Sequence, residues 1–116
     1  MQISTLDQPI YVAKADLFKA LGHPARIRIL ELLSTQERLV SELLNEIDVE
    51  PSSLSQHLAL LKRSGLVESR RSRNTVTYRL SDPSIEDFLA AARAVLAATL
   101  KRVRRTLEDL EGGEQS

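Results

Sequence analysis

The 116-residue sequence contains no cysteine. This absence excludes disulfides, thiolate metal sites and thiol-based redox sensing by the chain alone. No apolar run approaches the roughly 18 residues of a membrane span, and the first residues, 1–7, show no basic region ahead of an apolar one, as a signal peptide would. We therefore expect a soluble, unexported cytoplasmic protein with no membrane contact. At this length we expect one domain.

Catalytic residues are also scarce. The two histidines, His23 and His57, lie far apart in the sequence. No nucleophile is paired with a base in a recognisable motif, and no glycine-rich phosphate loop is present. The sequence therefore predicts a protein that is not an enzyme and that carries no cofactor.

The formal net charge is zero, but the charges are unevenly distributed. Between Lys62 and Arg79 six cations accompany a single anion, Glu68, which gives this segment a net charge of +5. Acidic residues crowd the preceding part of the chain. Such segregation is typical of a surface that contacts phosphates, and a merely solvated charged face is the alternative.

The segment 51–63 predicts a helix with two different faces. Leu54, Leu58 and Leu61 fall within about 60° of one another on a helical wheel, which indicates a stripe that packs inward. Short polar or small side chains occupy the other side, where they would let the backbone enter a DNA groove. The residues of this side are Ser52, Gln56, Ala59 and Arg63, and Ser53 and Ser55 flank them. An ordinary surface helix is the alternative.

Around this helix the sequence predicts a helix-turn-helix followed by a hairpin. A short apolar-periodic segment, 39–47, precedes it, and a tight turn at 48–50 joins the two. Asp48 is a candidate for left-handed backbone, and Glu50 stands at the N-cap, where its side chain caps poorly. Gly65 ends the helix as a left-handed residue, and residues 66–80 read as two strands.

The predicted hairpin is a wing with a basic tip. Residues 75–80 alternate apolar and polar side chains, as a half-buried strand does, and 66–71 is the partner strand. Asn74 is the best candidate for positive φ in the tip. Arg70, Arg71 and Arg73 project near this tip, where a hairpin can meet phosphates or the minor groove.

Two helices are predicted ahead of the helix-turn-helix. Asp7 or its neighbours can cap the first, which begins around Pro9 and ends at Gly22. His23 stands at the N-cap of the second, with a proline at its first position. We expect its two arginines, Arg26 and Arg28, to form salt bridges with Asp16, Glu31 or the C-terminal helix. His57 can pack in the turn or reach a phosphate, and packing is favoured.

Residues 84 to about 110 predict one long helix without glycine or proline. Apolar and small residues recur along it in steps of 4 and 3, a seam that one small domain cannot cover, so we expect dimerisation. A helix folded wholly against its own domain is the alternative. The seam comprises Ile85, Leu89, Ala92, Leu96, Thr99, Val103, Thr106 and Leu110. The chain thus divides into an N-terminal arm (1–9), a domain (10–111) and a flexible tail (112–116).

Several segments in the same order resemble the ArsR/SmtB family of bacterial repressors over roughly residues 10 to 100. The motifs are Leu17-Phe18-Lys19-Ala20-Leu21-Gly22-His23-Pro24-Ala25-Arg26-Ile27-Arg28-Ile29-Leu30, Ser55-Gln56-His57-Leu58, Leu61-Lys62-Arg63-Ser64-Gly65-Leu66-Val67 and Tyr78-Arg79-Leu80. The expected fold is mainly α with a small β-hairpin, a winged helix-turn-helix in the order α-α-α-α-β-β-α.

The resemblance implies a homodimeric repressor that binds an inverted repeat in promoter DNA. The first and last helices would form the dimer, with Leu17 joining the seam, and the paired recognition helices would read double-stranded DNA. The side chains expected to contact it are Ser52, Ser53, Ser55, Gln56, His57, Arg63, Arg70, Arg71 and Arg73. Repression would follow from competition with RNA polymerase.

The family's two familiar metal sites are not matched. Leu39 and Ser41 stand where one site has cysteines. Of the other site only Asp82 is retained, since Ser84, Val95 and Ala98 occupy the remaining positions. A lone carboxylate does not bind a transition metal tightly, so we expect no metal response. The effector is left open: a small molecule, a partner protein or none. A winged-helix module used only for protein contacts is the alternative function.

Overall fold

A computed structural model describes residues 8–115 as five helices and a three-stranded antiparallel sheet. The elements are α1 (Ile10–Leu21), α2 (Pro24–Thr35), β1 (Arg38–Leu39), α3 (Val40–Glu46), α4 (Pro51–Arg63), β2 (Val67–Ser72), β3 (Thr75–Leu80) and α5 (Pro83–Gln115). The predicted winged helix-turn-helix is confirmed. Within this part of the chain no helix is long and apolar enough to cross a membrane.

The sheet contains one strand more than the predicted hairpin. β1 pairs with β3 at Arg38↔Tyr78 and Leu39↔Thr77, so the strand order is β1-β3-β2. The sequence does not predict this strand, because two residues have no measurable periodicity. β3 has backbone hydrogen-bonding groups on both edges, and β1 satisfies those that β2 leaves open.

The core forms beneath α4. Leu54, Leu58 and Leu61 are at most 2% exposed, as their spacing predicts. They pack with buried residues of α2, α3 and β2, including Ile29, Leu30, Leu43 and Val67. Burying each such side chain is worth about 1.5–3 kcal/mol, so this stripe determines which side of α4 faces outward.

The turn between α3 and α4 differs in one detail from its prediction. Glu50 is the N-cap of α4 and its side chain makes no capping hydrogen bond, as expected. Asp48 is not left-handed, because among the described residues only Gly65 and Arg73 have positive φ. The Val49 amide instead donates to the Ile47 carbonyl at 3.0 Å, a three-residue turn that fits negative φ at its centre.

Both left-handed residues lie in the wing or at its start. Gly65 has φ 79° and ends α4, where the Leu66 amide donates to the Leu61 carbonyl at 3.0 Å. At the tip Ser72 pairs with Thr75, which leaves a two-residue loop. The prediction of positive φ at Asn74 is wrong. Arg73 has φ 55°, because the loop requires the left-handed conformation at its first residue.

The ends of the helices confirm some predictions and correct others. His23 caps α2, since its Nδ1 accepts from the Ala25 amide at 3.1 Å. α5 continues to Gln115, past the glycine pair at 112–113 where we expected a tail to begin. The predicted cap at Asp7 and most of the predicted arm lie outside the described residues. The division into arm, domain and tail stays a prediction.

Arg73→Gly should increase the free energy of unfolding by roughly 0.5–1 kcal/mol. Left-handed backbone costs a non-glycine residue about 1–2 kcal/mol, and the greater freedom of glycine in the unfolded chain offsets about 0.4–1 kcal/mol of the relief. Urea denaturation measures the change. Asn74→Gly is the control, since its φ is not positive and the substitution should only destabilise. Equal losses in both variants would contradict the strain at Arg73.

Candidate nucleic-acid interface

The outward face of α4 is exposed and polar. Ser52, Ser55, Gln56 and Arg63 are exposed, and Ser53 is half-buried. Within the described chain no side-chain hydrogen bond or ion pair engages these residues. The buried leucines hold α4 from the opposite side, so the amide, hydroxyl and guanidinium groups are available to base edges and phosphates.

A groove of about 500 Å³ separates α4 from the wing. Side chains of Ser55 and Lys62 line it from the helix, and Arg71 lines it from β2. The Lys62 Nζ donates to the Ser69 Oγ at 2.8 Å, which ties the end of α4 to the wing. Arg71 lies on this side because alternate residues of β2 share a face. The groove thus combines donors from helix and wing.

Arg70 projects from the opposite face of the wing. Its Nη2 lies 3.2 Å from the Glu37 Oε1, an ion pair between residues 33 positions apart, which local sequence patterns do not predict. On the same face the Arg79 Nη2 donates to the Glu68 Oε2 at 2.8 Å. This hydrogen bond and charge raise the pKa of Arg79 above its ordinary value. These arginines therefore face carboxylates, which competes with the phosphate role expected of Arg70.

Arg71 and Arg73 differ from that pair. Both are exposed, and no hydrogen bond or ion pair with another described residue holds either guanidinium. We call these two arginines, together with Lys62 and Arg63, the basic edge. The basic edge runs from the end of α4 to the tip of the wing.

His57 is half-buried against α2 and does not stand on the open face of α4. Its ring lies 4.4 Å from that of His23, and its Nδ1 is 3.3 Å from the Arg26 Nη1. Burial, then His23 and Arg26, lower the pKa of His57 below its ordinary value. The expectation that Arg26 pairs with acidic residues or the C-terminal helix is wrong. Its Nε donates to the Ala20 carbonyl at 2.6 Å, whereas Arg28 does pair with Glu31 at 3.5 Å.

Known proteins are similar to this chain in sequence and in structure. Residues 23–69 match the family described as "Bacterial regulatory protein, arsR family". The HTH-type transcriptional regulator Rv0081 of Mycobacterium tuberculosis is 49% identical over 107 residues, which cover 91% of this chain and 94% of that protein. The chain belongs to the arsR family of bacterial regulatory proteins. It is a DNA-binding winged helix-turn-helix regulator of transcription.

Other relatives of this arsR-family chain differ in their regulatory effect. The transcriptional activator HlyU of Vibrio cholerae is 41% identical over 73 residues, covering 63% of this chain and 68% of HlyU. The biofilm growth-associated repressor of Agrobacterium fabrum is 34% identical over 84 residues, covering 72% of each protein.

Solved structures agree with the fold. The crystal structure of Rv0081 superposes with a TM-score of 0.77 at 48% identity, covering 83% of this chain and 97% of that one. The homodimeric DNA-binding domain of Mb0332 from Mycobacterium bovis gives a TM-score of 0.71 at 28% identity, covering 84% and 90%.

The seam residues of this arsR-family chain fall into two groups. Leu17, Ile85 and Leu89 are half-buried and pack against the core of their own domain. Ala92, Leu96 and Val103 are exposed. The exposed stripe of large apolar residues on α5 has steps of 4 and 3 and comprises Leu96, Leu100, Val103, Leu107 and Leu110.

Two threonines of the predicted seam make hydrogen bonds within α5. The hydroxyls of Thr99 and Thr106 donate to the Val95 and Arg102 carbonyls at 2.9 and 3.1 Å. Leu100 and Leu107, each one position further along, lie in the exposed stripe and not in the predicted seam. On α1, Ile10, Tyr11 and Phe18 are also 59–75% exposed.

Asp82, the one residue retained from the family's metal sites, has a structural partner. Asp82 accepts a hydrogen bond from the Ser84 amide at 2.8 Å at the start of α5, and its hydrogen bonds to Ser84 lower its pKa. In the described part of the chain no group of three or more histidine, aspartate or glutamate residues is arranged to hold a metal ion.

Arg71→Ala should weaken binding to every DNA sequence alike and reduce the slope of log affinity against log salt by roughly 1 per protomer, because a phosphate contact is lost. Arg70→Ala is the matched control, since Arg70 faces Glu37. Fluorescence anisotropy between about 50 and 200 mM salt, where phosphate contacts change the affinity steeply, measures both slopes. Equal slopes for the two variants would contradict the assignment of the wing faces.

Gln56→Ala should change sequence preference instead. A glutamine amide pairs bidentately with adenine and contributes about 1–3 kcal/mol of discrimination when it does. The ratio of affinities for a cognate and a scrambled site is the measurement, and Ser52→Ala is a weaker comparison on the same face. An equal loss of affinity for both DNAs would mean that Gln56 contacts the DNA backbone and not a base.

Proposed function

We propose that the chain is a homodimeric repressor that binds an inverted repeat in a promoter. The observation that carries the proposal is the groove where Ser55 and Lys62 of α4 face Arg71 of the wing. Base-reading and phosphate-binding groups converge there. Because promoter DNA lies in the cell interior, the proposal implies a cytoplasmic protein. We also propose that the chain is not an enzyme.

The DNA role is supported by the way charge is divided. Glu37 and Glu68 neutralise Arg70 and Arg79 on the outer face of the wing. The basic edge stays free of carboxylates, so a protein of zero net charge still presents a locally positive surface to phosphates. Two such edges in a dimer would double the number of phosphate contacts and steepen the salt dependence.

Dimerisation is supported by the bare stripe of α5. Its five apolar residues are 51–62% exposed and continue the line of Ile85 and Leu89, which the domain itself covers. Water-exposed leucines at this spacing are typical of a helix that packs against another helix. The homodimeric Mb0332 domain, which shares the fold, gives independent support.

Repression rests on occupancy. A dimer on a promoter excludes RNA polymerase from overlapping DNA, and the Agrobacterium relative is a repressor. In vitro transcription from the bound promoter tests this step, with reduced transcript expected. Increased transcript would make the chain an activator, as HlyU is. Absence of specific DNA binding in a shift assay with excess competitor would favour a module for protein contacts.

Leu96→Glu should give monomers and abolish specific DNA binding, because an unpaired charge in an apolar seam costs several kcal/mol. Ala98→Glu is the matched control, since Ala98 is exposed on the same helix about 160° from Leu96. Sedimentation velocity and a DNA shift assay report both properties. A dimeric Leu96→Glu variant would place the interface elsewhere.

Zinc, cadmium, arsenite and copper should not release the protein from DNA near stoichiometric concentration. Release requires that the metal bind the DNA-free state more tightly, through coordinating bonds made only there. Leu39 and Ser41 cannot supply such bonds, and Asp82 already accepts hydrogen bonds from Ser84. Titration of metal into the complex, followed by chelator, is the measurement. Chelator-reversible dissociation would contradict the proposal.

A further inference from the structure

One guanidinium connects the end of α1 to α4. The Arg26 Nε donates to the Ala20 carbonyl at 2.6 Å, and its Nη2 donates to the Lys19 carbonyl at 3.2 Å. These carbonyls lie in the last turn of α1, where the helix dipole favours a cation. The remaining nitrogen, Nη1, is 3.3 Å from the Nδ1 of His57 on α4. Three contacts thus use all three nitrogens of Arg26.

We propose that Arg26 is a positioning residue for DNA reading, whose guanidinium fixes recognition helix α4 against helix α1 through the unprotonated Nδ1 of His57. The inference rests on the proposed function, in which α4 reads DNA and α1 contributes to the dimer. It adds a physical connection between these two helices.

The chemistry of the two groups determines which protonation state allows the contact. A guanidinium has donors and no acceptor, so Nδ1 of His57 must be the acceptor and the ring proton must sit on Nε2. Protonated His57 would present a donor and a positive charge to Arg26. The contact therefore requires neutral His57.

The groups around His57 favour this neutral state. The titratable and charged groups that act on it are His23 and Arg26, both on α2, and no described carboxylate offsets them. The His23 ring lies 4.4 Å away, with its own Nδ1 accepting from the Ala25 amide. Burial and these neighbours lower the pKa of His57. Stability from neutral His57 is therefore present above the unfolded pKa of 6.5 and falls as pH decreases below it.

The test compares variants that break the contact with one that preserves it. Arg26→Lys keeps the charge but cannot contact three acceptors, and His57→Phe keeps the ring shape but removes the acceptor. Either should weaken operator binding about tenfold, the usual effect of losing a hydrogen bond to a charged group, with the dimer intact by sedimentation. His57→Gln offers a neutral amide oxygen to Arg26 and should bind as the natural protein does.

The pH profile separates positioning from direct DNA contact. Affinity of the natural protein should decrease between pH 7 and 5, and that of His57→Gln should change less, because glutamine does not titrate. Binding that strengthens on acidification would mean that protonated His57 contacts phosphate, which overturns the proposal. Unchanged affinity in both Arg26→Lys and His57→Phe would overturn it too.

A measurement without DNA distinguishes failure of this inference from failure of the proposed function. The chain has two histidines, so nitrogen NMR of the rings can be assigned with one variant, His23→Gln. The inference predicts that, in the natural protein, neutral His57 has an unprotonated Nδ1 and carries its proton on Nε2. A His57 proton on Nδ1 overturns the inference whether or not the natural protein binds DNA. If Arg26→Lys does not fold, the tautomer in the natural protein decides.

Discussion

The burial of three leucines on one side of α4 is the constraint on which the rest of the interface depends. Leu54, Leu58 and Leu61 pack against α2, α3 and β2, and their burial together is worth about 4.5–9 kcal/mol. Because the leucine side of α4 is buried, Gln56 and Arg63 on the other side face solvent. A helix anchored in this way can present polar groups without disturbing the domain, because its stability comes from the opposite face.

The charged side chains are also divided between two faces of the structure. The two sides of the β2-β3 hairpin carry arginines of different use: Arg70 is held by Glu37, whereas Arg71 lines the groove beside α4. Zero net charge is therefore compatible with the positive charge of the basic edge, because the acidic residues are concentrated elsewhere or paired. Surface pairs of this kind contribute little stability, so their main effect is on where the positive potential lies.

The periodicity of apolar residues predicts most of the fold. The helices, the wing strands and the buried stripe of α4 follow from spacing, and Gly22, His23 and Gly65 mark boundaries by their local chemistry. Contacts between distant segments could not be read in this way: β1 is too short to show a period, and Arg70 meets Glu37 across 33 positions. The sequence predicts acidic partners for Arg26, because an arginine commonly pairs with a carboxylate. In the structure its guanidinium donates to backbone carbonyls instead. The left-handed residue at the wing tip depends on hairpin register, which composition does not determine.

In vitro selection from random double-stranded DNA is the most direct test of whether two copies of α4 and its wing bind symmetric DNA. The expected result is an enriched inverted repeat, as two-fold symmetry requires. Its half-site centres should lie about 10–10.5 base pairs, or a multiple, apart, because both recognition helices must enter the major groove on one face of the duplex. Enrichment of a lone half-site or a direct repeat, or no enrichment above the Leu96→Glu variant, would contradict the account.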